Sequence, residues 1–227
     1  MTSPAFDALT GSAVFADVPI PELAALAALA VEERFAVPTR LAERGDQPPR
    51  LWRVMEGSVE IGLFSESGRT AQLAPMLPGG WATWLACFHQ APLPHDLWTG
   101  HDTRLLAFPA QAVRNLAARN PQIYPHLVAR IGERMRDLIG WALAASLSDP
   151  ERRLAYLLIV TARDSGEGPD DPVVLPLTQE RLAATGLGSR QRVARLLSGL
   201  ARRGLVECGY GVVRIPSRQK LEAFVMV

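Results

Sequence analysis

The stretch LTQERLAATGLGSRQRVARLLSGLARRGLVECGYGVVRIP, from Leu177 to Pro216, constrains the fold of this chain more than any other. Thr178 is placed to cap a short helix from Gln179 to about Ala184, because a side-chain hydroxyl satisfies one of the free amides of a first turn. Leu182 and Ala183 face inward on that helix. Gly186 then allows a turn with positive φ. Ser189 caps a second helix through about Arg202, in which Val193, Leu196, Leu197 and Leu200 recur at core spacing. Gly204 stops it, and Leu205 to Ile215 reads as two short strands joined at Gly209-Tyr210-Gly211. Helix, tight turn, helix and hairpin make a winged helix-turn-helix.

The capping serine sets where the second helix begins, so the next residues project from its N-terminal end, the part of such a motif that enters the major groove of duplex DNA. Arg190, Gln191 and Arg195 can cover one exposed end face there. Arginine pairs bidentately with guanine and glutamine with adenine, so this triplet has base-reading chemistry. Thr178, Gln179, Ser189, Arg192 and Arg202 suit phosphate contacts, which orient a protein without reading sequence. Charge points the same way. From Thr178 to Val227 there are nine basic and three acidic residues, a net of +6; the other 177 residues carry 15 basic and 20 acidic, a net of −5. A basic module on a mildly acidic body is the footprint of a phosphate-backbone binder. A solvated basic face on a helical tail is the plainer alternative.

Upstream the texture differs. Pro19 to Val31 is Ala/Leu-rich and helical by propensity, with Leu23, Leu26 and Leu29 or Ala30 on a buried face. From Phe35 to Phe108, short apolar runs alternate with Gly, Pro and Asp clusters, the pattern of an antiparallel sandwich or barrel of short strands. Val54, Val59, Ile61 and Leu63 alternate as in half-buried strands, with turns at Glu56-Gly57 and Glu66-Ser67-Gly68. Asn120-Pro121 reads as the start of a long helix reaching about Leu147. On it Leu127, Ile131, Met135, Leu138, Ala142 and Ala145 approximate a coiled-coil seam. Gly132 and Gly140 point to a bend or a close helix approach. Ser148-Asp149-Pro150 opens another helix, to about Ala162, burying Leu154, Leu157, Leu158 and Val160 or Thr161; Asp164 to Asp171 is a polar loop. The expected division is residues 1–120, 121–148 and 149–227.

Composition excludes several classes. No apolar run approaches the ~20 residues of a membrane span, and no basic flank precedes an apolar run at the N-terminus, so a cytoplasmic protein is expected. Cys87 and Cys208 cannot supply a four-thiolate metal site. Neither a Ser-His-Asp order nor a phosphate-binding loop is present, and the chain does not read as an enzyme.

These motifs resemble the Crp/Fnr family, the cyclic-AMP receptor protein and its relatives. LTQERLAATGLGSRQRVARLLSGLARRGLV follows that family's helix-turn-helix; RLAERGDQP, RLWRVMEGSVEIGLFSESGRTAQLAPMLPGG and TRLLAFPAQAV resemble its sensor; SLSDPERRLAYLL resembles its linking segment. The resemblance spans roughly Val14 to Arg218. It implies an α+β chain: an N-terminal double-stranded β-helix (a jelly roll like the cyclic-nucleotide-binding domain), a long dimerisation helix and a C-terminal winged helix-turn-helix. It further implies a homodimer on a near-palindromic DNA site, with RNA polymerase as a further partner. Arg190, Gln191 and Arg195 match the family's base-reading triplet, with Gln191 where glutamate is usual.

The sensor departs from members that bind cyclic AMP. Thr83-Trp84 stands where their ribose-holding Gly-Glu pair would be, and Leu93-Pro94 where an Arg meets the phosphate. Two polar helix positions that face the purine appear as Leu138 and Ile139. A buried phosphate without a cation is costly, so a signal other than a cyclic nucleotide is expected. Trp84, Leu85, Leu93, Trp98, Leu138 and Ile139 either line a pocket for an apolar or aromatic small molecule, haem included, or belong to a filled core in a constitutive regulator. No metal site is expected, because His89, His95 and His101 fit no zinc spacing.

Overall fold

Helix α1 (Pro4–Thr10) begins where Ser3 can cap it, the Ser3 hydroxyl accepting from the Phe6 amide at 3.2 Å. The computed structural model describes residues 3–64, 70–147, 149–163 and 171–226. They divide into two units, Met1–Val59 with Met76–Arg136, and Glu60–Pro75 with Asp137–Val227.

In the first unit α1 is followed by α2 (Ile20–Ala27), which buries Leu23 and Leu26. The helix ends earlier than its composition suggests. Leu29 is exposed, and Val31 already belongs to strand β1 (Val31–Phe35), paired with the strand that ends the sandwich. Next in the chain come β2 (Arg40–Ala42), β3 (Arg50–Glu56), β4 (Val59–Phe64), β5 (Thr70–Gln72), β6 (Trp81–Ala82), α3 (Trp84–His89), β7 (Asp96–Thr99) and β8 (Thr103–Pro109), of which β5 and β4 beyond Val59 belong to the second unit. One antiparallel sheet has the order β1-β8-β3-β6, and β2 pairs with β7 in a second. β4 and β5 form an antiparallel hairpin, whose expected turn at Glu66-Ser67-Gly68 lies outside the described residues.

Strand β8 shows why the sandwich holds. Leu105, Leu106, Ala107 and Phe108 are all buried, so the strand is covered on both faces and cannot alternate. Leu106 and Phe108 join Leu51, Phe15, Leu9 and residues of α4 (Ala110–Arg119) in a helix-covered core. Leu105 and Ala107, one residue out of phase, point to the other face. Val54 and Val59 are fully buried, Ile61 is half-buried and Leu63 is exposed, so the alternation fades along β4.

Helix α5 (Ile123–Leu147) is the long helix. Asn120 does not cap it. Its carboxamide turns back to donate to the Leu116 carbonyl (3.0 Å) and to Glu22 (2.8 Å), closing α4 instead. Two backbone carbonyls satisfy the next turn: Asn120 accepts from the Ile123 amide and Pro121 from Tyr124. Leu127 is buried and Ile131 half-buried, while Met135 and Leu138 are exposed; the side chain of Ala145 lies outside the described residues.

The second unit holds the end of α5, then α6 (Pro150–Ala162), β9 (Val173–Leu175), α7 (Gln179–Leu182), α8 (Arg190–Arg202), β10 (Glu207–Gly209), β11 (Val212–Ile215) and α9 (Arg218–Met226). Asp149 caps α6, accepting from the Glu151 amide at 3.0 Å. Ser148 and residues 164–170 of the expected loop are outside the described residues. Leu154 and Leu158 of α6, Val193 and Leu200 of α8, Ile215 and Leu221 make the core, all fully buried. The sheet is three-stranded, β10-β11-β9. Gly140 is a close approach: a Cβ there would collide with the Tyr156 ring, whereas Gly132 meets nothing. Below it Asp137, buried, pairs with Arg163.

Gly57 carries φ +73°, and a Cβ there would lie 2.7 Å from the Thr103 Cα. Gly57→Ala is therefore expected to lower stability by about 2–4 kcal/mol, combining left-handed strain with overpacking. Urea denaturation followed by tryptophan fluorescence measures it; a midpoint equal to the parent's would show that the turn adjusts freely.

Candidate nucleic-acid interface

The interface is built outward from two caps. The Thr178 hydroxyl accepts from the Arg181 amide at 3.2 Å, starting α7, and the Ser189 hydroxyl accepts from the Arg192 amide at 3.3 Å, starting α8. Between them residues 183–188 turn sharply, with Gly186 at φ +85° and Gly188 at φ +102°. Such angles favour glycine. Leu182 and Leu187 are buried on either side of the turn, and Val193, Leu197 and Leu200 hold α8 down; Ala183 and Leu196 are only half-buried. These anchors leave the opposite face of α8 in solvent.

That face carries Arg190, Gln191, Arg192, Arg195 and Arg202, all exposed. At 100° per residue Gln191, Arg195 and Arg202 fall within a narrow sector, and Arg190 stands at the helix start. Four other cations of the module have internal partners, while Lys220 on α9 is exposed. Arg181 is taken by Glu60, Arg203 by Glu151 at 3.3 Å, Arg214 by Glu207 at 2.9 Å, and Arg218 reaches the Ala162 carbonyl. Among the described residues, the side chains of Arg190, Arg192, Arg195 and Arg202 have none. The net positive charge read from composition is thus concentrated on α8, with Lys220 of α9 apart from it. A groove of about 330 Å³ runs beside it, lined by Thr178, Gln179, Arg190, Cys208 and Tyr210 among others. Thr178, Gln179 and Arg190 are thereby brought to one concave strip. β9 and α9, which complete this unit, carry no motif that sequence reasoning picked out.

The residues expected in the sensor fall in different environments. Trp84 is buried in the helix-covered core, its ring centroid 5.7 Å from Phe15, 5.3 Å from Trp81 and 6.1 Å from Phe88. Leu93 is buried, with its amide and carbonyl bonded to Asp46 and Gly45, both at 2.8 Å. Trp98 is half-buried on β7; Leu85, Leu138 and Ile139 are exposed. The indole N–H groups of Trp81 and Trp84 are buried without a partner among the described residues. Thr83 adopts φ +75°, and its hydroxyl donates to the Arg50 carbonyl at 2.7 Å.

His89 and His101 are exposed, His95 is half-buried, and burial pushes the His95 imidazole below its usual range. No group of three His, Cys, Asp or Glu side chains among the described residues could hold a metal ion. Nor is any described helix long and apolar enough to cross a membrane. Cys87 is buried, and that burial pushes its thiol up to about 11, outweighing the nearby Arg114 guanidinium. At pH about 8 only about one such thiol in a thousand is the reactive thiolate. Iodoacetamide should therefore modify exposed Cys208 and spare Cys87 until the chain is unfolded, as read by intact-mass spectrometry; rapid native alkylation at Cys87 would contradict its burial.

The family model for the Crp-like helix-turn-helix domain matches residues 152–224, and that for the Cyclic nucleotide-binding domain matches residues 32–120. The chain is 27% identical over 179 residues to the CRP-like cAMP-activated global transcriptional regulator of Mycobacterium tuberculosis, spanning 78% of this chain and 80% of that protein. It is 28% identical over 166 residues to the Transcriptional regulator SdrP of Thermus thermophilus, spanning 73% and 79%. Among solved structures, FixK2 from Bradyrhizobium japonicum shares the fold with a TM-score of 0.70 at 18% identity, over 86% of this chain and 96% of that one.

Proposed function

Because this chain belongs to the Crp/Fnr family of DNA-binding transcriptional regulators, we propose that it works as a homodimer on a near-palindromic operator, each copy placing α8 in a major groove. The single observation behind this reading is the exposed set of unpartnered guanidinium groups on α8. Arg190 and Arg195 pair with guanine edges and Gln191 with an adenine edge, while Thr178, Gln179, Ser189, Arg192 and Arg202 hold the phosphates. Symmetry places two such helices about 34 Å apart, one turn of duplex. The chain acts in the cytoplasm, where the same DNA-bound dimer meets RNA polymerase, and it has no catalytic role.

The dimer reading rests on α5. Val128 is 67% exposed, Met135 55%, Ile139 51% and Leu143 57%, so apolar side chains lie in water along the helix. A second α5 covers them in a coiled-coil-like seam. In sedimentation velocity Leu143→Glu should shift the dimer towards monomer, and an unchanged coefficient would remove α5 from the interface.

The signal is something other than a cyclic nucleotide. Thr83 has a left-handed backbone that glycine adopts freely, at the position where the resemblance expects a ribose-holding Gly-Glu pair. Trp84 takes the place of a ribose-binding carboxylate and lies in the core, and Leu93 takes the place of a phosphate-binding arginine. These residues do not fit a cyclic nucleotide. An apolar or aromatic small molecule, haem included, is the signal class proposed from the apolar chemistry of these sensor residues. A second reading, constitutive DNA binding through a filled sensor, is favoured by the burial of Trp84 against Phe15 and Trp81. Titrating DNA affinity with cyclic AMP and with haemin separates the readings.

Arg195→Ala should lower the preference for the operator over random duplex by about tenfold to a hundredfold, the loss of one bidentate base contact, while low-salt binding to any duplex survives. Gel-shift competition measures both. Unchanged preference would remove Arg195 from base reading.

A further inference from the structure

Helix α7 is four residues long, Gln179–Leu182, too short to hold a direction by its own hydrogen bonds. Its direction matters, because it carries Gln179 beside the capping Thr178 and leads through the 183–188 turn into α8. Thr178 fixes its start, and buried Leu182 fixes its end. A third tie comes from far away in sequence. The Arg181 guanidinium grips the Glu60 carboxylate through two nitrogens, Nε donating to Oε1 at 2.9 Å and Nη2 donating to the same oxygen. Its Nη1 reaches the Pro176 carbonyl at 3.4 Å. The two side chains are 26% and 16% exposed, so dissolved ions screen the pair only weakly. A planar guanidinium held in this way fixes orientation as well as distance, which a lysine ammonium could not.

Glu60 is itself held in place. It lies on β4, which pairs with β5 through Gly62 and Gln72, Leu63 and Ala71, and Phe64 and Thr70. Val59 and Met76 bridge at the root of this hairpin, bonded through their backbones at 2.9 and 2.8 Å. β5 packs against the 183–187 turn itself. The hairpin therefore meets the helix-turn-helix twice, with a charge at α7 and with a strand at the turn. We infer that Glu60 and Arg181 are positioning residues for DNA binding: their ion pair sets the angle of α7, so that Thr178 and Gln179 reach phosphates while α8 is in the groove, a role that rests on the reading of α7 and α8 as the DNA-facing helices. Neither charge touches the duplex. An acidic side chain thus favours the binding of a polyanion.

The test uses the full-length chain and an operator recovered by it from a random-sequence duplex library. Affinity is counted per active molecule by stoichiometric titration, so that partial unfolding does not pass for weak binding. Removing a negative charge should by itself tighten the hold on a polyanion. Glu60→Gln is instead expected to weaken operator binding about tenfold, and Arg181→Gln by about the same factor. The two together should do no worse than either alone, as for one shared interaction. The slope of log affinity against log salt concentration should stay that of the wild type, since neither residue neutralises a phosphate. Exchanging the charges, Glu60→Arg with Arg181→Glu, should bring affinity back to within about threefold of wild type. Unchanged or tighter binding by Glu60→Gln overturns the inference. So does a loss confined to Arg181→Gln with the slope reduced by about one, which makes Arg181 a direct phosphate contact. Losses that add in the double glutamine variant overturn it too, as does a folded charge-exchanged protein that stays weak; if that protein does not fold, the glutamine variants decide. If the wild type recovers no operator, the DNA-binding reading itself falls. If it recovers one that Glu60→Gln binds equally well, only the positioning role falls.

Discussion

Ser189 and the turn before it are the constraint on which the second unit depends. A hydroxyl at the head of α8 accepts the Arg192 amide, and Gly186 and Gly188 supply the two left-handed steps that bring the chain there. Were the helix to begin one residue later, each side chain would rotate by about 100° about the axis. Val193, Leu197 and Leu200 would leave the core and the arginines would enter it. The core side chains therefore enforce the start that the serine marks. Local hydrogen bonding and long-range burial agree on one register, which is the condition for a single folded answer.

The first unit achieves the same agreement with a different device. β8 is buried on both faces, so the sheet is clamped between a helix-covered core and the far side of the sandwich. Thr83 sits at the edge of this arrangement in a conformation that costs a threonine of order 1 kcal/mol or more. Its hydroxyl bond to Arg50 offsets part of that cost. Thr83 thus holds a backbone shape that is easiest for glycine, and Trp84 beside it is buried.

Much of this was legible in the residues themselves because caps and glycines act locally. Thr178, Ser189, Asp149, Gly57 and Gly204 each mark a boundary that the structure places where chemistry expects it. Misreadings came where a residue has two uses. Asn120 has cap chemistry, but its carboxamide serves the helix behind it, drawn by Glu22 from far away in sequence. Leu29 continues an Ala/Leu rhythm, yet strand pairing by Val31 stops the helix first. Arg181 counts as a positive charge in composition, and only the fold reveals that Glu60 neutralises it. β9 and α9 carry too few residues with a clear period to stand out, and tertiary contacts define them.

Four guanidinium groups on one short helix, without internal counterions among the described residues, also have a cost in the absence of DNA. Like charges held within a few turns repel one another, and each is exposed enough for dissolved ions to screen it. Added electrolyte therefore acts on this protein in two opposed directions. It relieves self-repulsion and so makes the isolated module harder to unfold, and it competes with phosphates and so loosens any hold on a duplex. Thermal resistance and grip should thus move apart along one salt axis, which means that neither can be read as a proxy for the other.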